Sequence, residues 1–295
     1  MIMIFGVVFM YFLAVQQTVA GQAESINEYK DCPYLRLFED ASMKLSPGVL
    51  SLLIANIAMF IVTYMVPGQK EFMLRWFALY FPQNDQFQVW QFVTNMFMHG
   101  GPTHIFFNMF ALVSFGSILE FRWGIRRFLT FYFIAGIGAS LIYTLVNVLK
   151  FSSIQSGFLA LGFSSETILA LLKTGSATDA LTEKLGLETL REFYTLYHVS
   201  AVGASGAIYG VLVAFGILYP NAKLSLIFFP VPVAAKYFIP GLLCLDLFSG
   251  FTGFSLFGGG IAHFAHIGGA IIGFLMMLVW RKNHQRTERI TVSDY

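Results

Sequence analysis

Six stretches of this chain are long and apolar enough to cross a lipid bilayer: residues 48–66, 103–120, 128–149, 203–219, 233–249 and 262–280. About 20 mostly apolar residues make a helix that spans the hydrocarbon core. No water reaches the backbone there, so each N–H and C=O must find its partner within the segment, as a helix allows. The sequence therefore predicts an all-α membrane protein built as a six-helix transmembrane bundle. Only 12% of residues are charged, against about 25% in soluble domains. A seventh apolar run, residues 1–20, ends in "QTVAGQ", faintly like a signal-peptidase site, but lacks a basic start. It reads as one extra N-terminal hydrophobic helix or as an interfacial segment. The chain then divides into an N-terminal hydrophobic segment with a cytoplasmic linker (1–47), a transmembrane domain (48–281) and a cytoplasmic tail (282–295).

Orientation follows from the basic residues, which collect on the cytoplasmic side. With the stretch before residue 48 inside, the cytoplasmic side holds Lys30, Arg36, Lys44, Arg122, Arg126, Arg127, Lys223, Lys236, Arg281, Lys282, Arg286 and Arg289. The outside holds Lys70, Arg75, Lys150, Lys173, Lys184 and Arg191. Twelve against six predicts both flanks inside, residues 150–202 outside, and a multi-pass protein of a bacterial inner (cytoplasmic) membrane. The same asymmetry disfavours a cleaved signal peptide. A net charge of +2 argues against nucleic acid as the main partner. Cys32 and Cys244 form no motif.

Polar side chains at membrane depth are costly, and so point to function. Span two begins within "HGGPTHIFFNMF", span four with "GASGAIYG", and span six with "AHFAHIGGAIIG". All three spans run from outside to inside. His104, Asn108, Ser205 and His266 therefore share one depth, just below the outer surface. His104 and Asn108 are four residues apart, as are Ser205 and Tyr209, so each pair shares a helix face. Small residues allow close approach of membrane helices. Gly206 and Gly210 on span four, and Gly269 and Gly273 on span six, would let those helices touch and bring Ser205 to His266. Taken singly, Ser205 also reads as a helix cap, and His99 and His263 as structural histidines.

A serine hydroxyl becomes a nucleophile when a neighbouring imidazole takes its proton. A carboxylate usually orients that imidazole, yet none lies at the outer end of spans two, four or six. Glu120 closes span two at the wrong end. Asp246, towards the outer end of span five, could assist, but a Ser205–His266 dyad supported by Tyr209 is simpler. The oxyanion needs fixed donors, which the side chains of His104 and Asn108 and the backbone N–H of Ser205 can supply. Gly100–Gly101 and Gly258–Gly260 adjoin these groups and leave room for water.

In these motifs the chain resembles the rhomboid family of intramembrane serine proteases. "GASGAIYG" is similar to the family's G-x-S-G nucleophile motif, "HIFFN" to its H-x-x-x-N, and "AHIGGAIIG" to its A-H-x-x-G-x-x-x-G. "WQFVTNMFMHGGPTH" resembles the end of its first external loop, and "LEFRWG" the turn after its second helix. The resemblance spans about residues 48–281 and implies a rhomboid-like catalytic domain. It implies Ser205 as nucleophile and His266 as base, with His104 and Asn108 stabilising the oxyanion. Tyr209 would pack on His266, and Gly203 and Gly269 would support the site. It further implies single-pass transmembrane proteins as substrates, cut near the outer leaflet of the lipid bilayer, with no cofactor and no metal. The chain departs from the family at Trp90-Gln91, where many members have Trp-Arg.

Two other functions compete. His99, His104, His263 and His266 could ligate a metal, since imidazole suits zinc or iron, although no carboxylate joins them and Ser205 would be idle. The same scaffold could also act without proteolysis, as a membrane binding or quality-control factor. In residues 150–202, "SSETILALLK" and "TDALTEKLG" predict two short helices with Ser, Thr or Asp starts, which would cover apolar surface or take part in substrate recognition.

Overall fold

The computed structural model describes residues 45–226, 229–252 and 262–293. The apolar run 1–20, Cys32 and Gly258–Gly260 lie outside the described residues. Helix α1 is Pro47–Met65, followed by the short α2, Gln69–Phe77, and α3, Gln91–Thr94. The second span is one continuous helix, α4, Pro102–Trp123. Prolines open α1 and α4, where the missing N–H would have had no intrahelical partner. Five residues of α4, Leu112–Gly116, form a π-helical turn, a local widening common near functional sites. Gly124, at φ 79°, separates α4 from α5, Ile125–Ala160. The left-handed backbone that stops one helix and frees the next favours glycine.

Helix α5 has 36 residues and is about 54 Å long, well beyond the roughly 30 Å hydrocarbon core. Residues 150–160, read as part of the stretch between spans three and four, form its last turns. That end packs with α6 (Ser165–Thr174), α7 (Asp179–Leu185) and α8 (Leu187–His198) around a second core that includes Phe81, Phe151, Phe158, Leu171 and Phe193. Two helices were expected here and three form. Ser164 and Thr178 cap α6 and α7 by accepting from Thr167 N–H and Leu181 N–H.

The central helix is α9, Ser205–Leu218. Ala207, Val211, Ala214 and Phe215 are wholly enclosed, while α5 and α11 (His263–Ser293) pack along it. Helix α10, Ala235–Thr252, flanks both α9 and α11. Between α9 and α10 a two-stranded antiparallel hairpin, β1 (Lys223–Leu226) and β2 (Phe229–Ala234), pairs Lys223 with Ala234 and Leu224 with Val233. The helical bundle holds, with this ribbon as an addition. Helices α1, α4, α5 and α11 each contain a segment long and apolar enough to cross a membrane, and α9 is a shorter apolar helix. Ile54, Leu145, Phe251 and Val279 point outward, as expected for faces solvated by lipid.

A buried carboxylate closes one end of the bundle. Glu120 of α4 accepts from Ser46 Oγ–H (2.7 Å), Gly48 N–H (2.7 Å) and Val49 N–H (2.8 Å). These amides belong to the first turn of α1, where helical N–H groups lack intrahelical acceptors and the helix dipole favours negative charge.

Candidate active site

Ser205 is held by the segment before it. Leu79 and Ala201 exchange backbone hydrogen bonds of 2.9 and 2.8 Å, and Gly203 N–H donates to the Asn95 carbonyl at 2.9 Å. Gly203 then turns the chain at φ 134°, a conformation that favours glycine. Ala204 occupies the cap position and Ser205 is the first residue of α9. The helix-cap reading of Ser205 therefore fails. Its hydroxyl lies 2.9 Å from His266 Nε2.

Glycine explains how the two residues meet. A Cβ on Gly273 would lie 2.6 Å from Gly210 Cα, and one on Gly206 would lie 2.6 Å from Ala139 Cβ of α5. The backbones of α9 and α11 are thus in contact, with small side chains of α5 closing the third side. Dispersion between such close surfaces takes the place of hydrophobic driving force in lipid.

The His266 ring is held on two more sides. Tyr209, one turn below Ser205, stacks on it with centroids 4.2 Å apart and planes 9° apart. Its Nδ1 lies 3.1 Å from Asp246 Oδ1 of α10. The same oxygen is 2.6 Å from His263 Nδ1, and Tyr209 OH donates to Asp246 Oδ2. Asp246 thus joins three side chains from α9 and α11.

His104 also lies near Ser205, across Gly203. Gly100 N–H donates to His104 Nδ1 at 3.2 Å. A backbone amide can only donate, so in the neutral ring the proton sits on Nε2. That nitrogen lies 2.9 Å from where a Cβ of Gly203 would be, and Ser205 Oγ is 3.5 Å from the same point. Asn108 is buried in α4, and its Nδ2 donates to the His104 carbonyl at 2.8 Å. One amide hydrogen remains for another acceptor. His99 is enclosed, edge-on to His104 at 5.1 Å between centroids.

The four imidazoles do not converge on one ion. Among the described residues the group with metal-ligand geometry is Asp246, His263 and His266, with ligand atoms within 4.8 Å of one another. The imidazole–carboxylate distances there, 2.6 and 3.1 Å, are those of hydrogen bonds. A cavity of about 20 Å³ beside Ser205 is lined by Asn95, Ser140, Tyr143, Gly203 and Ala265. One water needs roughly 10–15 Å³ on that measure.

Gln91, the departure noted in the sequence, is fully buried. Its Oε1 accepts from Tyr80 N–H and Gln88 N–H, both at 3.2 Å. Its Nε2 donates to the carbonyls of Arg75 (3.1 Å) and Gln86 (2.8 Å). One neutral carboxamide thus ties four backbone groups of the first loop. Trp90 adds a bond from Nε1 to the Trp76 carbonyl and stacks on that ring at 6.0 Å.

A helical membrane bundle with a serine–histidine pair between its converging helices defines the class. Residues 86–283 match the family model described as Rhomboid domain, and the chain belongs to the rhomboid family. It is 27% identical over 205 residues to Rhomboid protease AarA of Providencia stuartii, covering 65% of this chain and 56% of the relative. It is 27% identical over 225 residues to Presenilin-associated rhomboid-like protein A, mitochondrial, of Danio rerio, covering 74% and 45%. It is also 28% identical over 114 residues to Inactive RHOMBOID-like protein 8 of Arabidopsis thaliana, covering 39% and 31%. The chain spans about half the length, or less, of these curated relatives.

Proposed function

We propose that this protein is an intramembrane serine endopeptidase that hydrolyses peptide bonds in or near the transmembrane segments of single-pass membrane proteins. The observation that carries the proposal is the 2.9 Å approach of Ser205 Oγ to His266 Nε2, which is within reach for proton transfer. Ser205 Oγ attacks the scissile carbonyl carbon while its proton passes to His266 Nε2. The negative charge gathers on the carbonyl oxygen, where His104 Nε2–H, the remaining Asn108 amide hydrogen and the Ser205 backbone N–H donate to it. The tetrahedral adduct collapses, the C–N bond breaks, and His266 returns the proton to the leaving amine. Water, with His266 again as base, then hydrolyses the acyl–serine ester. The cavity beside Ser205 has room for that molecule. Tyr209 keeps the imidazole plane fixed, and Gly203 and Gly269 allow the close approaches. The mechanism requires no metal or cofactor.

The excess of Lys and Arg on one side supports a site near the outer leaflet; the membrane is read as a bacterial cytoplasmic one, although some relatives carry mitochondrial names. Similarity to a relative named inactive favours a second reading, a non-proteolytic membrane factor. Co-expression with a panel of tagged single-pass proteins, beside Ser205→Ala and His266→Ala, distinguishes them. Cleavage by wild type and none by either folded variant is expected. An effect on the partner that survives both substitutions would establish the non-proteolytic reading.

A further inference from the structure

Asp246 carries more hydrogen bonds than a helix-packing role requires. Its carboxylate is buried within α10, where an unsatisfied charge would be expensive. The polar groups facing it are Tyr209 from α9 and His263 and His266 from α11. An ionised carboxylate only accepts, so both imidazoles present Nδ1–H to it. For His266 this has a chemical consequence. With the proton on Nδ1, the lone pair of the neutral ring is on Nε2, which faces Ser205 Oγ at 2.9 Å. The opposite tautomer would aim an N–H at the serine and could not take its proton. Tyr209 reinforces the arrangement: it stacks on the His266 ring and donates to Asp246, so ring plane and ring rotation are fixed by one connected group.

We propose that Asp246 is the positioning residue of the Ser205–His266 pair, holding His266 in the Nδ1–H tautomer from a third helix. Its role in catalysis rests on the protease reading above; its role in setting the tautomer does not. His263 shares Oδ1 at the shorter distance and gives the carboxylate a second imidazole partner from α11. It bonds the carboxylate rather than the serine, and belongs to the support rather than the reaction.

The test uses the full chain purified in detergent, with histidine labelled by nitrogen-15. The imidazole spectrum reports each tautomer directly, and the His266 signals are those lost in His266→Ala. Wild type should show His266 with the proton on Nδ1, and Asp246→Asn should populate Nε2–H. On a single-pass substrate kcat should fall by a factor of about 10²–10⁴, the upper figure being the loss seen when the orienting carboxylate of a soluble serine protease becomes an amide. KM should stay within about twofold, and Asp246→Glu should restore part of the rate. An unchanged tautomer and kcat in folded Asp246→Asn would overturn the proposal. So would a loss of melting temperature alone, with the folded fraction keeping the wild-type tautomer and rate. A wild-type protein that cuts nothing, yet whose tautomer depends on Asp246, would refute the protease reading and leave the positioning role standing.

Discussion

A Cβ on Gly269 would lie 1.8 Å from the carbonyl oxygen of Gly206. The obstacle is helix backbone, so no side-chain rotation relieves it, and α9 and α11 would have to separate. Overpacking of this kind typically costs about 1–3 kcal/mol. Because Ser205 and His266 sit on these two helices, separation also lengthens their 2.9 Å contact. A misplacement near 1 Å can cost roughly 10²-fold in rate. Gly269→Ala should therefore lose both melting temperature and rate per folded molecule. A rate near wild type on a folded, active-site-titrated sample would contradict the backbone contact.

His104 and Asn108 should act in the transition state rather than in substrate binding. Loss of one oxyanion donor typically costs about 10²–10³ in kcat, and less where other donors remain. Asn108 spends one amide hydrogen on its own helix. Asn108→Ala should therefore cut weakly, in a manner still dependent on Ser205, and react more slowly with a serine-directed phosphonate. Ser205→Ala should not react at all. If Asn108 only packs α4, the variant will melt earlier and cut at the wild-type rate per folded molecule.

Gln91 should be a stability residue of the first loop. Changing it to Leu removes two acceptances and two donations that satisfy buried or partly buried backbone groups. Each orphaned group costs about 1–3 kcal/mol, offset where water enters. Gln91→Leu should lower the melting temperature and open residues 78–98 to limited proteolysis. Gln91→Glu should fall short of wild type as well, since a carboxylate cannot donate to the Arg75 and Gln86 carbonyls. Wild-type melting and protease resistance in both variants would remove Gln91 from this role.

Glu120 should matter for folding and not for chemistry. Its three charge-assisted bonds hold the start of α1. In Glu120→Gln an amide group replaces one accepting oxygen and faces donors. A loss on the order of 3 kcal/mol is expected. Thermal unfolding in detergent should show it, while cleavage per folded molecule stays unchanged. A Glu120→Gln protein that melts like wild type would mean these bonds are replaced by water.

Four of the six spans, now α1, α4, α5 and α11, were legible as membrane-length helices because crossing a bilayer imposes a length and a composition that few other constraints mimic. The meeting of α9 and α11 was legible from glycine spacing, since only those positions allow such close backbones. Asp246 was harder. The sequence places it on span five at the right depth, but the rotation of α10 against its neighbours decides whether it faces lipid or His266. The two imidazoles at positions 263 and 266, sharing one helix face, were the available signal. Gln91 read as a mere departure because its value lies in backbone groups scattered from residue 75 to 88. The ribbon at residues 223–234 was hidden inside an apolar stretch with prolines, and the π turn at Leu112–Gly116 has no distinctive composition. The Glu120 contacts bridge 71 to 74 residues, a distance over which local pattern carries no information.

That long-range cap has a consequence for biosynthesis. Gly48 is made 72 residues before the carboxylate that will accept from it. At about 5–20 residues per second, roughly 4–14 s pass between the synthesis of Gly48 and that of its acceptor. During that interval the leading amides of the first helix must be solvated by water, by lipid headgroups or by the insertion machinery. The nascent first span is thus an unfinished part, completed when the end of the second is translated and the two are drawn together. An insertion chaperone that recognises partly polar helix ends would find its target here, in the time between the two spans.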